Sequence, residues 1–167
     1  MPATLHIATS WGPICVSAAS GEIIQCDLPN RDEAPSNRIR VSSGKIRAKA
    51  AADRRVLREA EKFIRALFRG KKPALPAVRV PDAPAFTQRA WRAMMKVGVG
   101  ETISYRELAK RAGSPAAFRA AGQACAKNPI PLFIPCHRIL AGNKRIGGFS
   151  CGLAWKHKLL ELERSAA

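Results

Sequence analysis

Acidic residues are scarce in this chain of 167 residues. Twelve Asp and Glu stand against 29 Lys and Arg, so the formal net charge is +17 and the pI is near 10.7. Residues 1–81 hold 15 basic and 7 acidic side chains, and residues 82–167 hold 14 and 5. The excess therefore belongs to both halves and is not a basic tail. Such a field draws a polyanion, most simply nucleic acid; a solubilising surface is the plainer reading. Long apolar runs are also missing, which excludes a membrane-spanning helix, and no membrane partner is expected. Met1-Pro2-Ala3-Thr4-Leu5-His6 lacks the charged and apolar regions of a signal peptide, so a cytoplasmic protein is expected. The five cysteines, at 15, 26, 125, 136 and 151, are odd in number, scattered and without a CxxC pair. They read as reduced thiols and exclude a disulfide framework. The three histidines lie far apart, and a zinc site from His6, Cys15 and Cys26 lacks the usual ligand spacing. No metal and no cofactor are expected.

What is present is enough chain for a real core, in one domain or two small ones, with an ordinary hydrophobic fraction of 47%. Leu5–Ala8 and Ile14–Ser17 flank a turn at Trp11-Gly12-Pro13, and Glu22–Leu28 follows Gly21. This predicts a small antiparallel meander. Asn30 to Lys49 is polar, turn-rich and without periodicity. From Ala51, Val56, Ala60, Phe63, Ile64, Leu67 and Phe68 recur at helical spacing, and Gly70 can end that helix. Pro73, Pro76, Pro81 and Pro84 mark an extended linker. The expected organisation is a supporting domain over 1–80 and a mainly helical domain over 81–167, an α+β fold.

The second half opens on an apolar stripe of Phe86, Ala90, Trp91, Met94 and Met95, read as core. Ser104-Tyr105-Arg106-Glu107 is a capping box that starts a short helix from Tyr105 to Ala112. Gly113 breaks it, and Ser114-Pro115 predicts a second helix to about Lys127, rich in alanine. Two short helices about a glycine turn read as a helix-turn-helix or as an ordinary helical hairpin. Arg119, Gln123 and Lys127 are the long side chains of the second helix. Gly147, Gly148 and Gly152 punctuate a later loop, either a flexible surface or a pocket wall with Phe149. A last helix is expected from Leu153 to Glu163.

Chemistry concentrates in Ile134-Pro135-Cys136-His137-Arg138-Ile139-Leu140. Prolines at 129, 131 and 135 stiffen the approach. Pro135 is expected at the first position of a short helical turn, with Cys136 at its positive end, where a thiolate is stabilised. His137 is the candidate base, through a water, since sequence neighbours do not face each other on a helix. A buried structural Cys beside a satisfied His is the other reading of the dipeptide.

Taken together, Asn128-Pro129, Pro135-Cys136-His137-Arg138, Ile103-Ser104-Tyr105, Arg119 and Glu163 resemble the O6-alkylguanine-DNA alkyltransferase family. The resemblance is nearly gapless from Phe86 to Glu163. It is weaker but consistent before that, at Trp11-Gly12-Pro13 and Leu67-Phe68-Arg69-Gly70. It implies direct-reversal DNA repair on double-stranded DNA with alkylated guanine. The alkyl group moves from guanine O6, less readily from thymine O4, to Cys136, once per molecule, without a cofactor, in a monomer. The same resemblance implies that Glu163 polarises His137, that Asn128 braces the turn holding Cys136, and that Lys156 lies near. Tyr105 would hydrogen-bond the guanine and help rotate the nucleotide out, and Arg119 would fill the gap left behind. Arg106, Ala120, Gln123 and Arg138 complete the implied DNA-facing set. Ile139, Phe149, Ser150 and Cys151 would form the pocket. Phe149 stands where many members have Tyr, and Cys151 where size varies among members. A non-catalytic DNA-binding module and a Cys-His hydrolase are the rival readings, and both leave Arg119, Tyr105 and Asn128 unexplained as a set.

Overall fold

A computed structural model describes residues 1–31, 33 and 38–166. The expected meander is β1 (Ala3–Thr9), β2 (Gly12–Ala19) and β3 (Glu22–Asp27), all antiparallel. Alternation places Leu5, Ile7, Ile14, Val16 and Ile23 inward, each at most 1% exposed. Residues 32 and 34–37 of the expected irregular stretch lie outside the described residues. The rest of that stretch is not all irregular. Lys45–Arg47 forms β4, which pairs with β1 and makes the sheet order β3-β2-β1-β4. Three residues with only Ile46 turned inward carry too little alternation to read. The proline linker is extended as expected, and it also adds to the sheet edge. Val78 bridges Ile23 in parallel, with Arg79 N–H donating to the Ile23 carbonyl at 2.9 Å.

Helix α1 (Ala51–Phe68) lays Val56, Leu57, Ala60, Phe63, Ile64 and Leu67 across the sheet. It ends just before Gly70, as expected. Gly70, at φ 66°, donates to the Leu67 carbonyl, and Lys71 donates to that of Ala66. These paired bonds satisfy two of the last carbonyls through a left-handed residue that glycine adopts without a Cβ penalty.

Helices α2 (Ala85–Met95), α3 (Tyr105–Arg111), α4 (Phe118–Ala126) and α5 (Leu153–Ala166) build the rest, with two-residue strands β5 (Ile103–Ser104) and β6 (Ile139–Leu140) paired in parallel. Ser104 caps α3 by accepting the Glu107 N–H at 3.1 Å. The Glu107 carboxylate accepts from Arg111 one turn on, at 3.0 Å, so only half of the expected box is used. The start of α4 needs correction. Ala117 N–H bonds the Ser114 carbonyl at 2.9 Å, which makes 114–117 a turn with Pro115 in its second position. The fixed φ of proline suits that position as well as a first helical turn. Helix α4 begins only at Phe118, with no side-chain cap.

The two halves share one core. Trp155 packs on Trp11 and Phe68, at ring centroids of 4.9 and 5.9 Å, and Phe63 stacks on Phe133 at 5.0 Å. Such pairs add about 0.5–1.5 kcal/mol beyond their buried area. The Trp155 indole N–H donates to the Pro29 carbonyl at 2.8 Å, and Trp91, on α2, donates to that of Ala124 at 2.9 Å.

Candidate active site

The stretch that held the chemistry in sequence is buried throughout, from Ile130 to Ile139. Cys136, His137 and Arg138 form a single 3-10 turn, with Pro135 as the flanking residue and not the first helical one. A turn of three residues has almost no macrodipole, so the expected thiolate-stabilising helix end is absent. Burial dominates instead and pushes the Cys136 thiol up to about 11, with the Asn128 hydrogen bond and the charge of Lys156 working against it. Asn128 Nδ2 donates to Cys136 Sγ at 3.1 Å and to the Ile134 carbonyl at 2.7 Å, while its Oδ1 accepts from Ile130 N–H at 3.0 Å. The amide thus aims one N–H at the sulfur and is itself held from both ends.

Helix α5 supplies two charged groups one face apart in sequence, Lys156 and Glu163. Glu163 Oε1 lies 2.7 Å from His137 Nε2. Arg138 donates to the same carboxylate from Nε at 2.9 Å and Nη2 at 2.8 Å, and from Nη1 to the Val97 carbonyl at 2.6 Å. Burial alone would raise the Glu163 carboxyl, but the hydrogen bonds and charges of His137 and Arg138 prevail and hold it at about 2. It is therefore an acceptor only, so Nε2 must carry the imidazole proton. The basic nitrogen of the neutral ring is then Nδ1, which is buried with no hydrogen-bond partner among the described residues. Burial also lowers the His137 pKa, which keeps the ring neutral and able to take a proton.

Lys156 is fully buried and donates to the carbonyls of Ile139 at 2.7 Å and Gly148 at 3.0 Å. Its ammonium lies close enough to Cys125 and Cys136 to feel both thiols. A cavity of about 330 Å3 opens onto Cys136. Its walls are Tyr105 from α3, Gly122, Cys125 and Ala126 from α4, and Gly148, Phe149 and Ser150 from the glycine loop. Phe149 and Ser150 reach it as expected. Cys151 is half-buried and Ile139 is buried, and neither is among the residues that line it. The other end of the loop is pinned by Gly152, at φ 98°, where a Cβ would overlap the Arg31 carbonyl. Gly122, Cys125 and Ala126 were not singled out from the sequence, although small residues at i, i+3 and i+4 of one helix are the signal that could have found them.

On the outer face, Arg106, Arg119 and Gln123 are exposed and Ala120 is half-buried. Arg138 does not join them. It is 6% exposed and committed to Glu163 and Val97, so its expected contact with DNA is withdrawn. A guanidinium next to a buried carboxylate neutralises it, and Glu163 could not serve His137 alone at this depth without that cost.

A nucleophilic thiol, a neutral imidazole held by a carboxylate, and a cavity walled by a short helix pair define a thiol-centred group-transfer protein. Residues 85–165 match the family model of the 6-O-methylguanine DNA methyltransferase DNA-binding domain. A methylated-DNA--protein-cysteine methyltransferase of Methanosarcina barkeri is 36% identical over 126 residues, 73% of this chain and 80% of that one. One of Mycobacterium tuberculosis is 44% identical over 82 residues, 49% of this chain and 50% of that one. Among solved structures, the Mycobacterium tuberculosis OGT in complex with DNA superposes with a TM-score of 0.74 at 25% identity, covering 96% of this chain and 94% of that one. An O6-methylguanine DNA methyltransferase from Methanococcus jannaschii gives 0.60 at 25%, covering 91% and 88%. The chain belongs to the methylated-DNA--protein-cysteine methyltransferase family.

Proposed function

We propose that this protein repairs DNA by direct reversal, moving an alkyl group from guanine O6, and less readily from thymine O4, to Cys136. The observation that carries the reading is the buried Cys136 sulfur on a base-sized cavity, beside an imidazole whose free nitrogen is Nδ1. His137 Nδ1 takes the thiol proton, through a water, and Glu163 holds the imidazolium that forms. The Asn128 N–H and the Lys156 ammonium favour the thiolate. Sulfur attacks the alkyl carbon, the carbon–O6 bond breaks, and the electron pair leaves with guanine, which regains the proton. The thioether is stable, so each molecule acts once, and the protein's own thiol replaces any cofactor.

A base inside a duplex cannot present its alkyl carbon to this cavity, so the nucleotide must be flipped out. Helices α3 and α4 act as a helix-turn-helix in the minor groove, whose degenerate code suits repair of any sequence. Arg106, Ala120 and Gln123 face DNA, Arg119 occupies the gap in the stack, and Tyr105 guides the guanine past Phe149 and Ser150. Residues 81–167 carry the DNA-binding and acceptor functions and residues 1–80 support them. The protein works as a monomer in the cytoplasm. No helix among the described residues is long and apolar enough to cross a membrane.

Intact-mass measurement after incubation with O6-methylguanine DNA tests this reading. One methyl replacing one hydrogen raises the mass by about 14 Da, on Cys136 alone. Cys136→Ser should show no gain. Repeated turnover by substoichiometric protein, or methyl on Cys125 or Cys151, would overturn it.

A further inference from the structure

Among the aromatic side chains, all of which are described, Phe118 is the one exposed to solvent, at 38%. A lone apolar residue on a surface ordinarily needs no account. Two observations set Phe118 apart. The first is its place on α4. Gly122, Cys125 and Ala126 line the cavity, and Phe118 lies four, seven and eight residues before them, on the same helical stripe. It is not itself a lining residue but lies one turn beyond them, about 6 Å along the helix from Gly122, at the N-terminal rim of that wall. Helical side chains lean toward the N-terminus, so the ring leans away from Gly122 along the helix axis. Tyr105 marks the inner edge of that rim, with ring carbons 4.0 Å from where a Gly122 Cβ would stand.

The second observation is its neighbours. The Arg106 guanidinium lies 5.1 Å from the Phe118 ring centroid and that of Arg119 lies 6.0 Å away. Both arginines are exposed. The nearest carboxylate in sequence on α3, Glu107, is engaged by Arg111. The rim thus presents an apolar ring between two cations, the composition with which minor-groove proteins unstack a base step while holding its phosphates.

We propose that Phe118 is a positioning residue for duplex substrate: its ring wedges the base step beside Arg119 and forms the outer wall over which the flipped nucleotide enters the cavity. This rests on the reading that alkylated duplex DNA is the substrate. The ring acts by bulk and apolarity on the cost of unstacking and touches none of the reacting atoms.

The test compares single-turnover methyl transfer by wild type, Phe118→Ala and Phe118→Leu at saturating protein. The substrates are an O6-methylguanine duplex, the same lesion opposite an abasic site, and the free O6-methylguanine base. Wild-type transfer to Cys136 is the reference, and its absence would sink the underlying repair reading rather than the wedge. Given that transfer, Phe118→Ala should slow the paired duplex about tenfold, because part of what offsets unstacking is lost. The defect should shrink opposite the abasic site, where less stacking is lost, and should stay within about threefold on the free base, which leaves no stack. Phe118→Leu should recover most of the duplex rate, because a wedge needs bulk and not a π face. Wild-type duplex rates in Phe118→Ala would overturn the proposal. Equal slowing on all three substrates would overturn it by making Phe118 a support of the cavity. A Leu variant as slow as Ala would overturn it in favour of a ring that only orients the two guanidiniums.

Discussion

One carboxylate, Glu163, serves His137 and Arg138 at once, and its environment has consequences for stability as well as chemistry. Its folded pKa is held at about 2, below the ordinary 4.5. A depressed carboxyl binds fewer protons folded than unfolded, so stability rises with pH across that window and is flat above it. The stability Glu163 contributes is present above about pH 4.5 and lost as pH falls toward about 2, a difference of about 3 kcal/mol. His137 acts in the same direction. Its folded pKa is lowered by burial, so acidification below its ordinary 6.5 favours the unfolded chain, which takes the proton first. Glu163→Gln leaves Arg138 buried without a counter-charge and should cost about 3–5 kcal/mol at neutral pH. Gln does not titrate, so the gap to wild type should narrow between pH 4 and pH 3. Urea unfolding of both proteins at pH 7, 4 and 3 measures this, and a gap that stays constant would refute the assignment. At Cys136 the same scale explains why a thiol pushed up to about 11 has Asn128 and Lys156 beside it. Burial protects the sulfur from solvent and raises the cost of its charge, and the Asn128 hydrogen bond and the Lys156 charge lower that cost.

At the scale of elements, α4 presents two different faces. One face is small and lines the cavity through Gly122, Cys125 and Ala126, while Arg119 is exposed, its guanidinium 6.0 Å from the Phe118 ring. If Arg119 occupies the gap in the base stack, it supplies part of the few kcal/mol that flipping costs. Arg119→Ala should then slow repair of duplex about ten- to a hundredfold, corresponding to about 1.4–2.8 kcal/mol. Reaction with the free alkylated base should change by less than about threefold, since no stack has to open. Rates at saturating protein separate this from a lost phosphate contact. Slowing on both substrates would place Arg119 in support of the cavity, and no slowing on either would remove α4 from the mechanism. Helix α5 works by a different geometry. Lys156 and Glu163 are seven residues apart, two turns on one face, which lets a single rigid helix hold the cavity floor and the imidazole together.

Across the whole molecule, the first half reaches the site from behind. Cys26 N–H donates to the Pro129 carbonyl at 3.1 Å and Arg31 N–H to that of Cys151 at 2.9 Å. Trp155 closes the same seam against Trp11 and the Pro29 carbonyl. The strand-rich half therefore braces both chain segments that flank Cys136. Its share of the basic excess adds to that of the helical half in one field, which should steer DNA and make affinity depend steeply on salt. If about six phosphates are neutralised, duplex affinity should fall about a thousandfold between about 50 and 200 mM salt. Cys136→Ser should follow wild type throughout that titration, because the thiol lies at the cavity floor and not on the phosphate-facing surface. A variant that stayed folded but lost duplex binding would make Cys136 a structural residue.

The three strands of the meander, α1 with its Gly70 stop, and the Ser104 cap were legible because each depends on neighbours within a few residues. Period-two alternation, helical spacing and a glycine at positive φ are local physics. The Pro-Cys-His-Arg motif was legible for the same reason. Strand β4 was not, since three residues with one inward side chain carry no pattern. The start of α4 was misread because Ser-Pro opens a turn as readily as a helix. Long-range questions had no local answer. Whether Arg138 meets a phosphate or a buried carboxylate depends on Glu163, 25 residues away. Which imidazole nitrogen is basic depends on that same carboxylate, and the direction of the Cys136 shift depends on how deeply packing buries it. The order of residues names the chemical groups that are available. Tertiary structure alone decided their partners, their solvation and so their protonation, because those are set by neighbours distant in the chain.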